Sequence, residues 1–196
     1  SFYDNSEKIN EYFLIYLNEK RDLPDNMQQF LSDIHSDNEF TQESMAQFLG
    51  SMIFSATHST SSFLTSLIFT VIKEYESAFK LKKLKQTEVD ALINEVLRIY
   101  MPVQWIYRTV RKATTYRGVE LEVGDTLIVF IGSANMDPGV FESPELIDLS
   151  RKAKHISFGI GPYACIGKYS TFRNAHNLLK YLSKVDKKID LVSPNE

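Results

Sequence analysis

Cysteine is almost absent from this 196-residue sequence, which contains a single one, Cys165. One cysteine cannot form an intramolecular disulfide, so the composition excludes a small secreted fold held together by disulfide bridges. The thiol of Cys165 is therefore either a small buried apolar group or a reactive or metal-ligating thiolate. Composition alone leaves both alternatives open.

An excess of charge of either sign is also missing, since the formal net charge is −3 at pH 7. A chain with this balance has no general attraction to nucleic acid or to an anionic membrane surface. Apolar residues make up 43% and charged residues 24% of the chain, which is close to the globular average and excludes widespread disorder. Because this length is enough to bury one sizeable core, we expect a single domain over residues 1–196.

The N-terminal residues, Ser1 to Asp4, have neither the basic region nor the apolar region of a signal peptide. From Ser44 to Ile72 the only ionisable side chain is His58, so this stretch is long enough to suggest a membrane span. Its centre is crowded with serine and threonine hydroxyls, however, and these insert poorly into lipid. We therefore expect a helix buried within a soluble, cytoplasmic protein.

Apolar periodicity predicts several helices. They cover residues 7–20, Asp25 to Ile34, Thr41 to about Tyr75, residues 87–100, and a last helix after Gly167. Residues 23–25 would break the first helix, Asp25 can cap the second, and residues 36–38 are predicted to form a loop. Thr41 would cap the third helix, whose length and apolar character are typical of the middle of a large fold. The lysine-rich stretch 80–85 predicts a solvated turn.

Between the fourth and last helices the apolar period changes to two, which is typical of strands. Strands are predicted over residues 105–111, 119–123 and 126–130, with Gly124 and Asp125 as a hairpin turn. Loop-forming residues predict a long irregular segment from 134 to 154. The predicted fold class is mainly α with a small β-sheet.

The glycine-rich segment from Phe158 to Gly167 directly precedes the last helix and contains Cys165. A helix N-terminus favours a thiolate through its dipole and its free backbone donors. Gly161 and Gly167 let the backbone approach a flat ligand closely, and the Phe158 ring can shield the sulfur from water. These features permit a reactive thiol, a phosphate-binding loop or a haem ligand.

The pattern Phe-x-x-Gly-x-x-x-Cys-x-Gly, complete from Phe158 to Gly167, resembles the haem-binding loop of the cytochrome P450 family. Three further segments follow in the family's order. Residues 95–98 resemble its Glu-x-x-Arg helix, residues 134–138 resemble the Ala-Asn-x-Asp-Pro segment of bacterial members, and residues 55–60 fall where the long central helix crosses the haem. The resemblance covers essentially the whole chain. It implies the C-terminal, haem-binding half of a bacterial-type cytochrome P450-like fold, truncated on the N-terminal side.

The resemblance implies haem b (iron protoporphyrin IX) as the cofactor, with Cys165 as the axial ligand of the iron. A thiolate ligand pushes electron density toward the iron and favours O–O bond cleavage. Phe158, Gly159 and Gly167 would complete the cofactor-binding loop around that ligand.

Arg108, His155 and Tyr163 match positions that commonly hold the haem propionates. Arginine binds carboxylates through two parallel hydrogen bonds, and a tyrosine hydroxyl donates one. A surface ion pair is the alternative for Arg108, and an ordinary loop histidine is the alternative for His155. The resemblance gives Glu95 and Arg98 a structural role beneath the haem, not a catalytic one.

Two positions depart from the family pattern. The central helix usually carries an acid followed by threonine, which help deliver protons to iron-bound oxygen. Here the catalytic candidates are His58, Ser59 and Thr60, with hydrogen bonds inside the helix as the alternative role for the first two. The arginine that usually pairs with the Glu-x-x-Arg helix is replaced by Leu146, and Arg151 is a candidate substitute.

The resemblance favours a haem-thiolate oxidoreductase, a monooxygenase acting on a small organic or biosynthetic intermediate. Its electrons would come from a ferredoxin- or flavodoxin-like donor that docks near Cys165. Four basic residues could form that docking patch, or simply a solvated face: Lys152, Lys154, Lys168 and Arg173. The enzymatic alternative is a haem-thiolate peroxygenase, isomerase or dehydratase, and the other alternative is a non-catalytic cytochrome P450-like partner protein.

Family members are much longer than this chain, and the part without a counterpart here precedes residue 1. The chain is therefore a fragment, half of a split protein, or a naturally short variant. The last two alternatives would leave a large apolar surface exposed, and they predict a homodimer or a complementary chain.

Overall fold

A computed structural model describes residues 2–18, 25–35, 41–75, 78–152 and 154–185. The α-helices are α1 (Phe2–Asn18), α2 (Asp25–His35), α3 (Gln42–Tyr75), α4 (Gln86–Ile99), α5 (Ile131–Asn135) and α6 (Lys168–Leu182). Short 3-10 helices span Ala78–Lys83 and Gly161–Tyr163. The structure divides into two compact units between His58 and Ser59, so the single domain expected over residues 1–196 stays a prediction.

The strands form small antiparallel sheets in the second unit. They are β1 (Trp105–Thr109), β2 (Thr114–Tyr116), β3 (Val119–Leu121) and β4 (Thr126–Phe130). β1 pairs with β4, and β2 pairs with β3. A chain that is mostly helical with a small antiparallel sheet component confirms the predicted fold class.

The predicted hairpin turn at Gly124 and Asp125 is wrong. These residues connect β3 to β4, which belong to different sheets, and they exchange backbone hydrogen bonds with Val110 just after β1. The tight turn lies instead between β2 and β3, where Arg117 and Gly118 have φ angles of 50° and 81°. Two consecutive positive φ angles are what a type I′ hairpin turn requires. The error followed from missing β2, whose three residues are too few to show a period.

Most helix predictions agree with the structure to within a few residues. Thr41 caps α3 as predicted, because the Ser44 N–H donates to the Thr41 hydroxyl at 3.2 Å. Asp25 is the first residue of α2 instead of its cap, and α1 begins well before residue 7. The lysine-rich stretch forms part of a 3-10 helix and not an open turn. Leu81 within it is buried in the core. The predicted break before Asp25 and the loop at 36–38 lie outside the described residues.

In the first unit, α3 approaches α1 closely. A Cβ atom at Gly50 would lie 2.7 Å from the side-chain oxygen of Asn10, so this position requires glycine unless the asparagine moves. Met45 and Ala46, one turn earlier, are buried. Among the described residues, no helix combines the length and apolarity needed to cross a bilayer.

The core of the second unit is formed by one apolar stripe from each of three helices. α3 contributes Phe63, Leu67 and Val71, α4 contributes Leu92, Ile93, Val96 and Leu97, and α6 contributes Ala175, Leu179 and Leu182. Burying a leucine side chain of this kind contributes about 2 kcal/mol to folding. The segment that contains Cys165 packs against this three-helix core.

We expect Leu92→Ala to lower the free energy of unfolding by about 2–5 kcal/mol, because Leu92 is fully buried and its truncation leaves a cavity. Equilibrium urea unfolding, followed by far-UV circular dichroism, measures the change. Val123→Ala is the control, since Val123 is 66% exposed and its truncation should change stability by less than about 0.5 kcal/mol. Equal losses in the two variants would contradict the assignment of the core.

Candidate functional site

The segment from Phe158 to Gly167, called the Cys165 loop below, is closed by its own backbone. The Cys165 N–H donates to the Phe158 carbonyl at 2.7 Å, and the Gly159 N–H donates to the Ile156 carbonyl at 2.8 Å. Gly159 and Gly161 have φ angles of 69° and 75°, in the left-handed region that favours glycine. The loop therefore holds Cys165 at an exposed position just before α6.

The sulfur of Cys165 lies against the start of α6. A Cβ atom at Gly167 would be 3.6 Å from Cys165 Sγ, an ordinary van der Waals distance, so the sulfur lies on the side of Gly167 that a side chain would occupy. No side chain caps α6 at Gly167, which leaves the first N–H groups of the helix unclaimed by a cap. A helix N-terminus of this kind stabilises a thiolate through its dipole and its backbone donors.

The ring of Phe158 connects the Cys165 loop to neighbouring side chains. Its centroid lies 6.0 Å from that of the His155 ring and 6.0 Å from that of the Phe172 ring. The ammonium of Lys168 lies 5.9 Å from the same ring centroid. Phe158 is half-buried, and it packs against the helical core through these neighbours.

His155 is held as a neutral imidazole with a defined tautomer. The Asn94 amide donates to the Asp90 carbonyl at 2.7 Å, which directs its Oδ1 toward His155 Nε2 at 3.2 Å. The Ser157 N–H donates to His155 Nδ1 at 3.2 Å, so the proton is on Nε2 and is donated to Asn94. Burial lowers the pKa of His155 to about 4, assisted by the charges of Lys168 and Arg98 and opposed by Glu95.

Glu95 and Arg98 form a buried ion pair on α4. Arg98 donates from Nε to Glu95 Oε1 at 2.8 Å and from Nη2 to Glu95 Oε2 at 2.9 Å, and the two residues are 0% and 1% exposed. The remaining Arg98 hydrogens reach the carbonyl oxygens of Asn135 at 3.1 Å, Pro144 at 2.7 Å and Leu146 at 3.1 Å. One guanidinium thus fastens a long segment without regular structure to α4.

Arg151 completes the ion pair, as the sequence suggested. Its Nε donates to Glu95 Oε2 at 3.2 Å, and its Nη2 donates to the Ser143 carbonyl at 3.3 Å. Leu146, at the position where the family usually has arginine, contributes its carbonyl to Arg98 and not its side chain. Burial raises the pKa of Glu95, but the hydrogen bonds from Arg98, the Asp148 N–H and Arg151, with the charge of Arg98, outweigh it. The pKa of Glu95 therefore lies below its ordinary value of 4.5.

Asn135 connects the end of α5 to the segment before the Cys165 loop, and its role was not found from the sequence. Its Nδ2 donates to the Ser157 hydroxyl at 2.9 Å and to the Met101 sulfur at 3.1 Å, and its Oδ1 accepts from the Ile156 N–H at 2.9 Å. The Ser157 hydroxyl in turn donates to the Leu97 carbonyl at 2.7 Å. The sequence signal that could have identified it is the Ala-Asn-x-Asp-Pro segment. That segment contains Asn135 but does not indicate which groups the residue binds.

The other predicted site residues lie apart from this network. Arg108 is exposed on β1, where its guanidinium donates to the Tyr107 carbonyl at 2.9 Å, and it has no carboxylate partner among the described residues. Tyr163 is 89% exposed in the 3-10 helix before Cys165. Within the part of the chain that the structure describes, neither Arg108 nor the Thr60 side chain hydrogen-bonds to the Cys165 loop.

His58, Ser59 and Thr60 all lie in α3. The ring of His58 stacks on that of Phe54 at 5.8 Å, with an angle of 8° between the planes. Nearby hydroxyls donate to carbonyls of the preceding turn, as Thr57 does to Ile53 at 2.8 Å. The half-buried Thr60 hydroxyl has no hydrogen-bond partner among the described residues.

Comparison with known proteins decides the family. A family model described as cytochrome P450 matches residues 76–169. The polyketide biosynthesis cytochrome P450 PksS from Bacillus subtilis strain 168 is 30% identical over 159 residues, which cover 80% of this chain and 39% of PksS.

Two solved structures show a similar fold. CYP109E1 from Bacillus megaterium, in complex with testosterone, gives a TM-score of 0.79 at 27% identity over 89% of this chain and 46% of that one. CalO2 gives 0.82 at 19% identity over 98% of this chain and 49% of that one, a likeness that shows the fold alone. The chain belongs to the cytochrome P450 family. It spans less than half the length of each of these three relatives.

Cytochrome P450s bind haem, and the residues of this chain fit that cofactor. Among the described residues, no group of three or more His, Cys, Asp or Glu side chains could hold a metal ion. Cys165, the one cysteine of the sequence, is exposed and would supply the thiolate that binds the haem iron. Ile160, Tyr163 and Ile166, all beside Cys165 in the chain, are 78%, 89% and 91% exposed and present apolar surface that suits a flat ring.

We expect Arg151→Leu to lower the free energy of unfolding of this cytochrome P450 chain by about 1–3 kcal/mol, because it removes a hydrogen bond between charged groups at a buried carboxylate. Equilibrium urea unfolding measures the change. The matched control is Arg173→Leu, at an exposed position on α6.

A double-mutant cycle isolates the contact. In a Glu95→Gln background, Arg151→Leu should cost much less than it does alone, because the carboxylate that Arg151 binds is gone. Equal costs in the two backgrounds would show that Arg151 does not act through Glu95.

Proposed function

We propose that this chain is the haem-binding part of a cytochrome P450 monooxygenase, with Cys165 as the axial ligand of the iron. The observation that carries the proposal is the position of Cys165, exposed in a closed glycine loop, with its sulfur 3.6 Å from where a Cβ atom at Gly167 would lie, just before α6. When bound through a thiolate, haem supplies the activation of dioxygen that a monooxygenase needs.

The surrounding residues would hold the cofactor and its loop. We assign the packing beneath the loop to Phe158, and we assign the cofactor's carboxylates to Arg108 and Tyr163. The guanidinium of Arg108, which has no carboxylate partner among the described residues, and the exposed hydroxyl of Tyr163 support this assignment. His155 is a neutral donor whose Nε2 proton would have to leave Asn94 before it could reach a propionate. We therefore expect His155 to contribute less than Arg108 and Tyr163 to binding the cofactor's carboxylates.

Thr60 is the residue we assign to proton delivery. Hydroxyls elsewhere on α3 are occupied by carbonyls of the helix, as for Thr65 and Thr70, whereas that of Thr60 has no partner among the described residues. A hydroxyl that is not committed to its own helix can pass a proton to a bound ligand. His58 and Ser59 are the neighbouring candidates for the same relay.

The relatives support a small organic substrate. PksS belongs to polyketide biosynthesis, and CYP109E1 was solved with testosterone, which is largely apolar. Exposed cations at Lys152, Lys168 and Arg173 favour an acidic electron donor of the ferredoxin or flavodoxin type. A homodimer or a complementary chain that completes the pocket stays a prediction.

The absorption spectrum of the chain mixed with haemin tests the proposal. After reduction under carbon monoxide, we expect a Soret band at the long-wavelength position of a thiolate-ligated haem. Cys165→Ser should lose that band because it removes the thiolate. Ser183→Ala, at the exposed far end of α6, should keep it.

An unchanged band in Cys165→Ser would rule out Cys165 as the ligand. The absence of any Soret band, together with a co-purifying protein, would favour the non-catalytic partner role.

A haem-thiolate peroxygenase is the second candidate, because His58 and Ser59, followed by Thr60, stand where the family usually has an acid followed by threonine, which alters the proton pathway. Turnover of an apolar substrate with hydrogen peroxide, and none with an electron donor and dioxygen, would favour it. We expect the reverse, with Thr60→Val lowering the dioxygen-dependent rate by about a hundredfold and Thr60→Ser retaining most of it.

A further inference from the structure

Lys168 carries a positive charge beside the Cys165 loop. It is the first residue of α6, and its backbone N–H lies 3.4 Å from the Cys165 carbonyl oxygen that accepts its hydrogen bond. Its ammonium lies 5.9 Å from the centroid of the Phe158 ring, whose π-electrons attract a cation. No carboxylate within the described residues pairs with it.

Phe158 gives that charge a fixed location. Its carbonyl accepts the hydrogen bond from the Cys165 N–H, and its ring packs against those of His155 and Phe172. The same residue therefore contacts the loop through its backbone and the Lys168 ammonium through its ring. This contact favours positions of the Lys168 ammonium over the Phe158 ring, beside the Cys165 loop.

The positive charge of Lys168 also acts on the partly buried ring of His155. Burial is the largest cause of the low pKa of His155, and the charge of Lys168 is the next. The other charged groups acting on His155 are Glu95, which opposes the shift, and Arg98, which adds to it. An exposed ammonium that acts on a partly buried ring is not fully screened by water.

We propose that Lys168 is a positioning residue that raises the reduction potential of a haem held by Cys165, acting through its place on Phe158. This inference rests on the proposed function. One-electron reduction of ferric to ferrous haem adds one negative charge to the site, with dithionite as the electron source in vitro. A nearby fixed positive charge favours the more negative, ferrous state.

The first test compares Lys168→Gln with Lys168→Arg in the haem-loaded chain. Spectroelectrochemical titration should show a shift of roughly 59 mV to more negative potential in Lys168→Gln, which is a tenfold change in the ferrous-to-ferric ratio at fixed potential. Lys168→Arg keeps the charge and should keep most of the potential. Lys180→Gln is the matched control, since Lys180 is exposed in the last turn of the same helix.

Equal potentials in Lys168→Gln and Lys180→Gln would overturn the proposal. They would leave Lys168 a surface cation whose substitution changes only the salt-dependent rate of reduction by a donor protein. Because no donor is present in the titration, the measured potential separates the two roles.

A second test needs no haem. The pKa of His155, followed by the NMR shifts of its ring protons, should rise from about 4 in Lys168→Gln and stay unchanged in Lys180→Gln. An unchanged pKa in both variants would overturn the proposal even if haem never binds. A rise in the pKa without any Soret band in the unmodified chain would instead retain the field of Lys168 and reject the proposed haem function.

Discussion

The ion pair between Glu95 and Arg98 is the interaction on which the rest of the second unit depends. Both groups are almost completely withdrawn from water, and they form hydrogen bonds with each other, with the Arg151 side chain and with the backbone between Asn135 and Asp148. Removing one partner of such a pair leaves an uncompensated buried charge, at a cost of about 3–5 kcal/mol. The pair thereby connects a segment with little regular structure of its own to α4.

This constraint reaches the Cys165 loop through polar contacts and not through apolar packing. α4 holds Asn135 through Arg98 and holds Ser157 through the Leu97 carbonyl, and Asn135 binds the segment that leads into Phe158. The glycines then give the loop the left-handed turns that bring the sulfur to the start of α6. The position of the Cys165 loop thus depends in part on hydrogen bonds made by residues outside the loop.

The helices and the loop that contains Cys165 were predictable because their signals are local. Apolar spacing located α3, α4 and α6 closely, and the complete pattern around Cys165 identified the loop. Strand pairing was not predictable, because β1 and β4 meet across an intervening hairpin whose first strand, β2, is too short to show a period. The roles of Asn94 and Asn135 were missed for a similar reason, since an asparagine shows its partners only after distant backbone segments have come together.

The sheet formed by β1 and β4 has a consequence for how the chain behaves at high concentration. Within the described residues each of these strands has a partner on one side only, and Trp105, Tyr107, Ile128 and Phe130 are each about half or more exposed. Unpaired backbone donors and acceptors flanked by large apolar side chains are a template for edge-to-edge association. Charged residues are sparse along these two strands, Arg108 being the one exception, so electrostatic repulsion does little to keep two such edges apart.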